Sequence, residues 1–213
     1  MACMGTLSQT SRIMLMSAES CERNKEPILR VLQEELGAAR SALEIGSGTG
    51  QHAVYLAARL PHLTWQPSEL AELVPLLAER VRLEGGANLA APVALDVRIT
   101  PWPVERVDAV FSANTLHIIS WSAVEDFFRG VGTVLRPAGV LCVYGPFNYG
   151  GRYTSDSNRH FDLWLKSRDP HSGIRDFEAL EVLARAAGLT CSADHAMPAN
   201  NRTLVWRAQA GAS

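Results

Sequence analysis

The sequence predicts an α/β fold: a doubly wound, mainly parallel seven-stranded sheet closed by an antiparallel C-terminal strand. Three observations carry that prediction. Short apolar runs alternate with segments of helical periodicity; the first run opens into a glycine turn followed at once by a helix; and the last two extended runs flank a Pro- and Asn-containing turn.

Taken in order, Glu26 to Leu36 places Ile28, Leu29, Val31, Leu32 and Leu36 on one helical stripe, with Pro27 near its start and Gly37 just past its end. Ser41 to Ile45 is a short apolar strand running into Gly46-Ser47-Gly48-Thr49-Gly50, after which Ala53, Val54, Ala57 and Leu60 recur at helical spacing. Leu63 to Pro67 reads as strand two, Leu70 to Leu83 as a helix, Ala91 to Leu95 as strand three and Val107 to Ser112 as strand four. Val124 to Leu135 is a helix, and Val140 to Tyr144 is strand five, set off by Pro137 and Gly139. Ser157 to Arg168 and Phe177 to Ala187 read as helices. Leu189 to Asp194 and Thr203 to Arg207 then form an antiparallel pair around Met197-Pro198-Ala199-Asn200-Asn201. No repeat or low-complexity linker interrupts this order, so residues 18–213 are expected to form one domain, with a substrate-covering insert at about 148–175. Residues 1–17 are expected to be a flexible leader.

Composition narrows the function. The net charge is −2, and of 20 basic residues only Lys25 and Lys166 are lysines, with the arginines spread along the chain. Nucleic-acid binding needs a concentrated basic face, so a small-molecule partner is expected and nucleic acid is not. No apolar run approaches the roughly 20 residues of a membrane span. Cys3, Cys21, Cys142 and Cys191 are widely separated, which fits a reduced, cytoplasmic protein, and the six histidines show no metal-ligand spacing.

The glycine turn is the first chemical signal. Alternate glycines let bare backbone approach a ligand, and the following helix N-terminus offers free N–H groups. The spacing here is G-x-G-x-G, preceded on the strand by Glu44, whereas a dinucleotide fingerprint is G-x-G-x-x-G and a P-loop needs a lysine after the glycines. S-adenosylmethionine fits better, because it has no pyrophosphate and carries an ammonium and a sulfonium that favour nearby oxygens. Glu69, 19 residues after Gly50, can accept the ribose hydroxyls. Asp96 with the Val97 N–H, after strand three, can meet an adenine edge. Ligands of open α/β sheets bind at these carboxyl ends of the strands.

With these residues the chain resembles class I S-adenosylmethionine-dependent methyltransferases of Rossmann-like fold. More narrowly, it is similar to the small family of methyltransferase-like protein 26 and its bacterial relatives, long classed as a domain of unknown function. The stretches that carry the likeness run from Glu22-Arg23-Asn24-Lys25-Glu26-Pro27-Ile28-Leu29 through the glycine turn to Gln51-His52-Ala53 and Trp65-Gln66-Pro67-Ser68. They continue through Ala94-Leu95-Asp96-Val97, Tyr144-Gly145-Pro146-Phe147, Ser157-Asn158, Phe161-Asp162 and Met197-Pro198-Ala199-Asn200-Asn201. The resemblance implies the fold and the cofactor. By position it puts Glu44, Gly46, Gly48, Gly50, Glu69 and Asp96 on that cofactor, and makes Arg23 and Asn24 an N-terminal lid near its methionine end. Members usually carry the shorter Asp where this chain has Glu69.

Methyl transfer asks mainly for alignment and exclusion of water, and for a general base only if the acceptor arrives protonated. Candidates follow strands four and five: Asn114, taken as a cofactor contact, His117 as the natural base, Trp121, Tyr144, Asn148, Tyr149 and Tyr153. Asn200 and Asn201 in the C-terminal turn are candidates for binding substrate. Arg152, Arg159, Arg168 and Arg175 in the insert point to an anionic small molecule as methyl acceptor. The Asp/Asn-Pro-Pro-Tyr pattern of base methylation does not follow strand four. Two other readings stand beside this one: a nucleotide-dependent oxidoreductase on the same fold, which would bind NAD or NADP and not S-adenosylmethionine, and a catalytically silent S-adenosylmethionine-binding regulator.

Overall fold

A computed structural model describes residues 19–210; the leader expected over residues 1–17 lies outside them. Helix α1 spans Glu19–Glu35, and β1 (Ser41–Ile45) leads through the glycine turn to α2 (Gln51–Arg59). β2 (Thr64–Glu69), α3 (Val74–Glu84), β3 (Val93–Ala94), β4 (Val107–Ala113), α4 (Trp121–Val134) and β5 (Leu135–Gly145) complete the alternation. Then come β6 (Phe147–Asn148), α5 (Asp156–Arg168), β7 (Arg175–Asp176), α6 (Phe177–Ala186), β8 (Leu189–Met197), a 3₁₀ turn at Pro198–Asn200 and β9 (Asn201–Ala208).

The seven-stranded sheet has the order β3-β2-β1-β4-β5-β9-β8. Strands β3 to β5 are parallel neighbours, and β9 runs antiparallel to both β5 and β8. The order reverses between β1 and β4, and the carboxyl ends of those strands flank a crevice at the switch point. Along the central strands burial is nearly continuous, as expected of a sheet covered on both faces, and alternate residues enter opposite cores. Ala109 and Phe111 of β4 and Cys142 and Tyr144 of β5 join α1 and α2 in one core, whereas Val110, Leu141 and Val143 join α4 and α6 in the other.

Helix α1 begins seven residues before the predicted start, so Pro27 is interior and Arg23 and Asn24 are helical. Pro27 gives up one helical hydrogen bond, and burial of Cys21, Asn24, Ile28, Leu29 and Leu32 against the sheet offsets that loss. Helix α3 starts four residues later than predicted, at Val74, because β2 runs on to Glu69, which pairs with Ala94. Strand β8 also continues past Asp194 to Met197, pairing with Asn201 across the turn. Strands β6 and β7 pair in a separate two-stranded ribbon, Phe147 with Arg175 and Asn148 with Asp176, and so tie together the two ends of the segment that carries α5.

Candidate active site

The glycine turn is held by its neighbour strand. Ser47 N–H donates to Ser68 O at 3.0 Å, Ser68 Oγ donates to Glu44 O at 2.7 Å and Ser112 Oγ donates to Ile45 O at 2.8 Å. Its three glycines are all left-handed, at φ 74°, 55° and 82°, yet they do different work. A Cβ on Gly46 would lie 2.6 Å from Thr115 Oγ1, and one on Gly50 would lie 2.7 Å from Leu77 Cδ1, so both are required by packing. A Cβ on Gly48 would meet no atom within 4 Å, which leaves its bare backbone facing open space.

Glu69 ends β2 beside that opening. Its Oε2 accepts from Gly48 N–H at 2.7 Å and its Oε1 from Leu70 N–H at 2.8 Å. Asp96, after β3, is gripped by Arg98, which donates through Nε at 2.8 Å and Nη2 at 2.6 Å and holds the carboxyl below its ordinary range. Glu44 is buried, 1% exposed, and accepts from Trp65 Nε1 at 2.8 Å. Burial pushes its carboxyl up to about 7, against the opposing bonds from Trp65 and Ser47. It braces the turn from beneath and presents no open carboxylate to the crevice.

Past the glycine turn, a cleft of about 380 Å³ is lined by Arg23 and Asn24 of α1, Asn114 after β4, Tyr144 and Pro146 at the end of β5, Asn158 and Phe161 of α5, and Pro198, Ala199 and Asn201 of the C-terminal turn, together with Ser20 and Ser157. Of the predicted site residues it therefore gathers Arg23, Asn24, Asn114, Tyr144 and Asn201. Asn114 takes φ 57°, a left-handed conformation that asparagine tolerates better than most residues, and its N–H donates to Tyr144 O at 2.9 Å. Asn24 is buried, and its Oδ1 is bonded to His52 Nε2 at 2.8 Å. His52 is neutral in this setting, pushed down to about 4 by burial and by Lys25.

The remaining predicted residues are placed elsewhere. His117 is 6% exposed and does not line the cleft; it stands edge-on to Phe161, ring centroids 5.4 Å apart. Burial, helped by the charge of Arg175, pushes its imidazole down to about 4, so the ring is neutral, and its place outside the lining gives the general-base assignment no support. Asn200 turns its amide to Ser157 Oγ at 3.2 Å and its carbonyl to Asn158 Nδ2 at 3.1 Å, so it builds the turn, while its neighbour Asn201 lines the cleft. The four arginines of the insert are also outside the lining. Arg159 pairs with Asp156, Arg168 lies over the Trp164 ring, and Arg175 donates to Leu116 O at 2.9 Å and His171 O at 2.9 Å. Among the described residues, the cation in the lining is Arg23.

Sequence reasoning missed His52, Asn158, Phe161 and Ala199 as members of the site. All four lie in the stretches that carried the family likeness, but nothing in their local spacing told a cleft residue from a structural one. Among the described residues no group of three His, Cys, Asp or Glu side chains is placed to hold a metal ion.

The same fold recurs in solved methyltransferases. An O-methyltransferase family protein from Burkholderia thailandensis is 18% identical, with 91% of this chain and 59% of that one covered at a TM-score of 0.76. Human N-acetylserotonin methyltransferase in complex with S-adenosylmethionine is 14% identical, with 94% and 55% covered at 0.78. The S-adenosylmethionine-dependent methyltransferase SibL is 21% identical, with 89% and 56% covered at 0.76. The chain spans less than two thirds of each of these proteins. Its fold is thus that of the class I S-adenosylmethionine-dependent methyltransferases. Within that class it belongs to the family described as a protein of unknown function (DUF938), whose pattern matches residues 15–208.

Proposed function

We propose that this protein is an S-adenosylmethionine-dependent methyltransferase acting on an anionic small molecule in the cytoplasm. One observation carries the reading: the open backbone of Gly48, with the Glu69 carboxylate on its N–H, lies at the same crevice edge as the polar cleft walled by Arg23, Asn114 and Tyr144. The residues fit the cofactor. The turn is bare where a ligand would lie, it carries a carboxylate for ribose hydroxyls, and no lysine or arginine stands in residues 44–50 to neutralise a pyrophosphate. Gly46, Gly48 and Gly50 would seat it, with Glu69 at the ribose, Asp96 and the Val97 N–H at the adenine, and Arg23 and Asn24 at the methionine end. When bound, the cofactor supplies a methyl carbon activated by its sulfonium.

The chain's own contribution is alignment and exclusion of water. Asn114, held left-handed beside Tyr144, sits where the crevice meets the cleft, and Phe161 and Pro198 give the cleft apolar walls. Calorimetry tests the reading: the protein is expected to bind S-adenosylhomocysteine, and the Gly48→Val variant is expected to lose that binding. Binding of NAD or NADP with none of S-adenosylhomocysteine would overturn it in favour of an oxidoreductase.

A further inference from the structure

Methyl acceptors differ in what they ask of a site. Hydroxyls must shed a proton as the bond to carbon forms, a protonated amine must first be deprotonated and held near an anion, and a carboxylate needs neither. The lining contains no Asp, Glu, His or Lys side chain among the described residues, and residues 1–18 contain none of these types either. His117 is outside the lining, its ring packed edge-on against Phe161.

The polar groups that do line the cleft have a definite polarity. Asn24 Oδ1 can only accept, so the 2.8 Å contact makes His52 Nε2 the donor. The Tyr144 hydroxyl lines the cleft and can donate its proton to a bound anion. The Asn114 carboxamide, on the same wall, has no hydrogen-bond partner among the described residues and offers a second donor.

We infer that the acceptor is a small-molecule carboxylate, held by the Tyr144 hydroxyl and the Asn114 amide and methylated on oxygen without a general base. This rests on the methyltransferase reading above. A carboxylate oxygen lone pair forms the new bond to the methyl carbon, and the carbon–sulfur bond breaks with its electron pair passing to sulfur. The carboxylate and sulfonium charges cancel, and no proton moves. The product is a methyl ester.

Its chemistry supplies the test. The protein is incubated with methyl-labelled S-adenosylmethionine and the low-molecular-weight fraction of a cell extract, and the labelled product is treated with mild alkali. Esters release the label as volatile methanol; ethers, methylated amines and thioethers retain it. Volatile label supports the carboxylate, and alkali-stable label overturns it, as does S-adenosylhomocysteine binding without any transfer. Loss of S-adenosylhomocysteine binding itself would instead overturn the methyltransferase reading. Tyr144→Phe is expected to raise the acceptor KM at least tenfold with S-adenosylhomocysteine affinity unchanged.

Discussion

The two walls of the crevice are built by different means. On the glycine-turn side, the contacts are main-chain bonds and single side chains reaching the adjoining strand, as with Ser47 to Ser68 and Glu69 to Gly48. On the acceptor side, the segment between β6 and β7 is stitched to distant loops by buried polar side chains. Asp162 accepts from Tyr153 Oη, Lys166 Nζ and Ile174 N–H, each at 2.7 Å, and Arg175 and Ser172 reach the carbonyls of Leu116 and Ile118. One wall depends on backbone conformation and the other on side-chain pairing, so they should fail differently.

The largest effect is expected at Asp162. Burial alone would raise its carboxyl, but the bonds from Lys166, Tyr153 and Ile174 outweigh it and hold the group below the ordinary range. Asp162→Ala leaves those donors unmatched and should cost about 2–4 kcal/mol in urea melts. Because the native pKa is depressed, the stability from Asp162 is fully present above about pH 4 and is lost as pH falls through the native value. An Asp162→Ala variant that melts like the parent would show that the acceptor wall does not depend on this cluster.

Next come the glycines. Gly50→Ala forces a left-handed alanine against Leu77 and should cost about 2–3 kcal/mol, whereas Gly48→Ala bears only conformational strain, about 1 kcal/mol. Binding should rank them in reverse, with Gly48→Ala weakening S-adenosylhomocysteine more than Gly50→Ala does. If both measurements rank them alike, the open face of Gly48 is not where the ligand lies.

Glu44→Gln should stabilise the protein by about 1–3 kcal/mol at pH 8. An unfolded glutamate titrates near 4.3, and native Glu44 near about 7. Between those values the unfolded chain has released a proton that the native state retains, so stability falls as pH rises through the window and is flat above it. Gln keeps an acceptor for Trp65 and should erase the slope; a slope that persists would mean that another group sets it.

The smallest effect is expected at Arg98, whose guanidinium is exposed while it grips Asp96. Arg98→Ala should leave the melting midpoint unchanged and tighten S-adenosylhomocysteine by releasing the Asp96 carboxylate. Weaker binding would mean that Arg98 itself contacts the ligand.

From sequence alone followed the succession of strands and helices, the glycine turn, and the placing of Glu69, Asp96 and Asn114 after successive strands. Each rests on periodicity or on residues adjacent in the chain, which act within a turn or a strand. Tertiary structure decided the rest. It extended α1 back to Glu19 because packing on the sheet outweighs the interior proline. It also buried His117 against Phe161, drew Arg175 onto carbonyls 56 and 59 residues away, and set Asn158 on Asn200 across 42 residues. Such pairings depend on which surfaces the folded sheet brings together, and a local pattern holds no record of them.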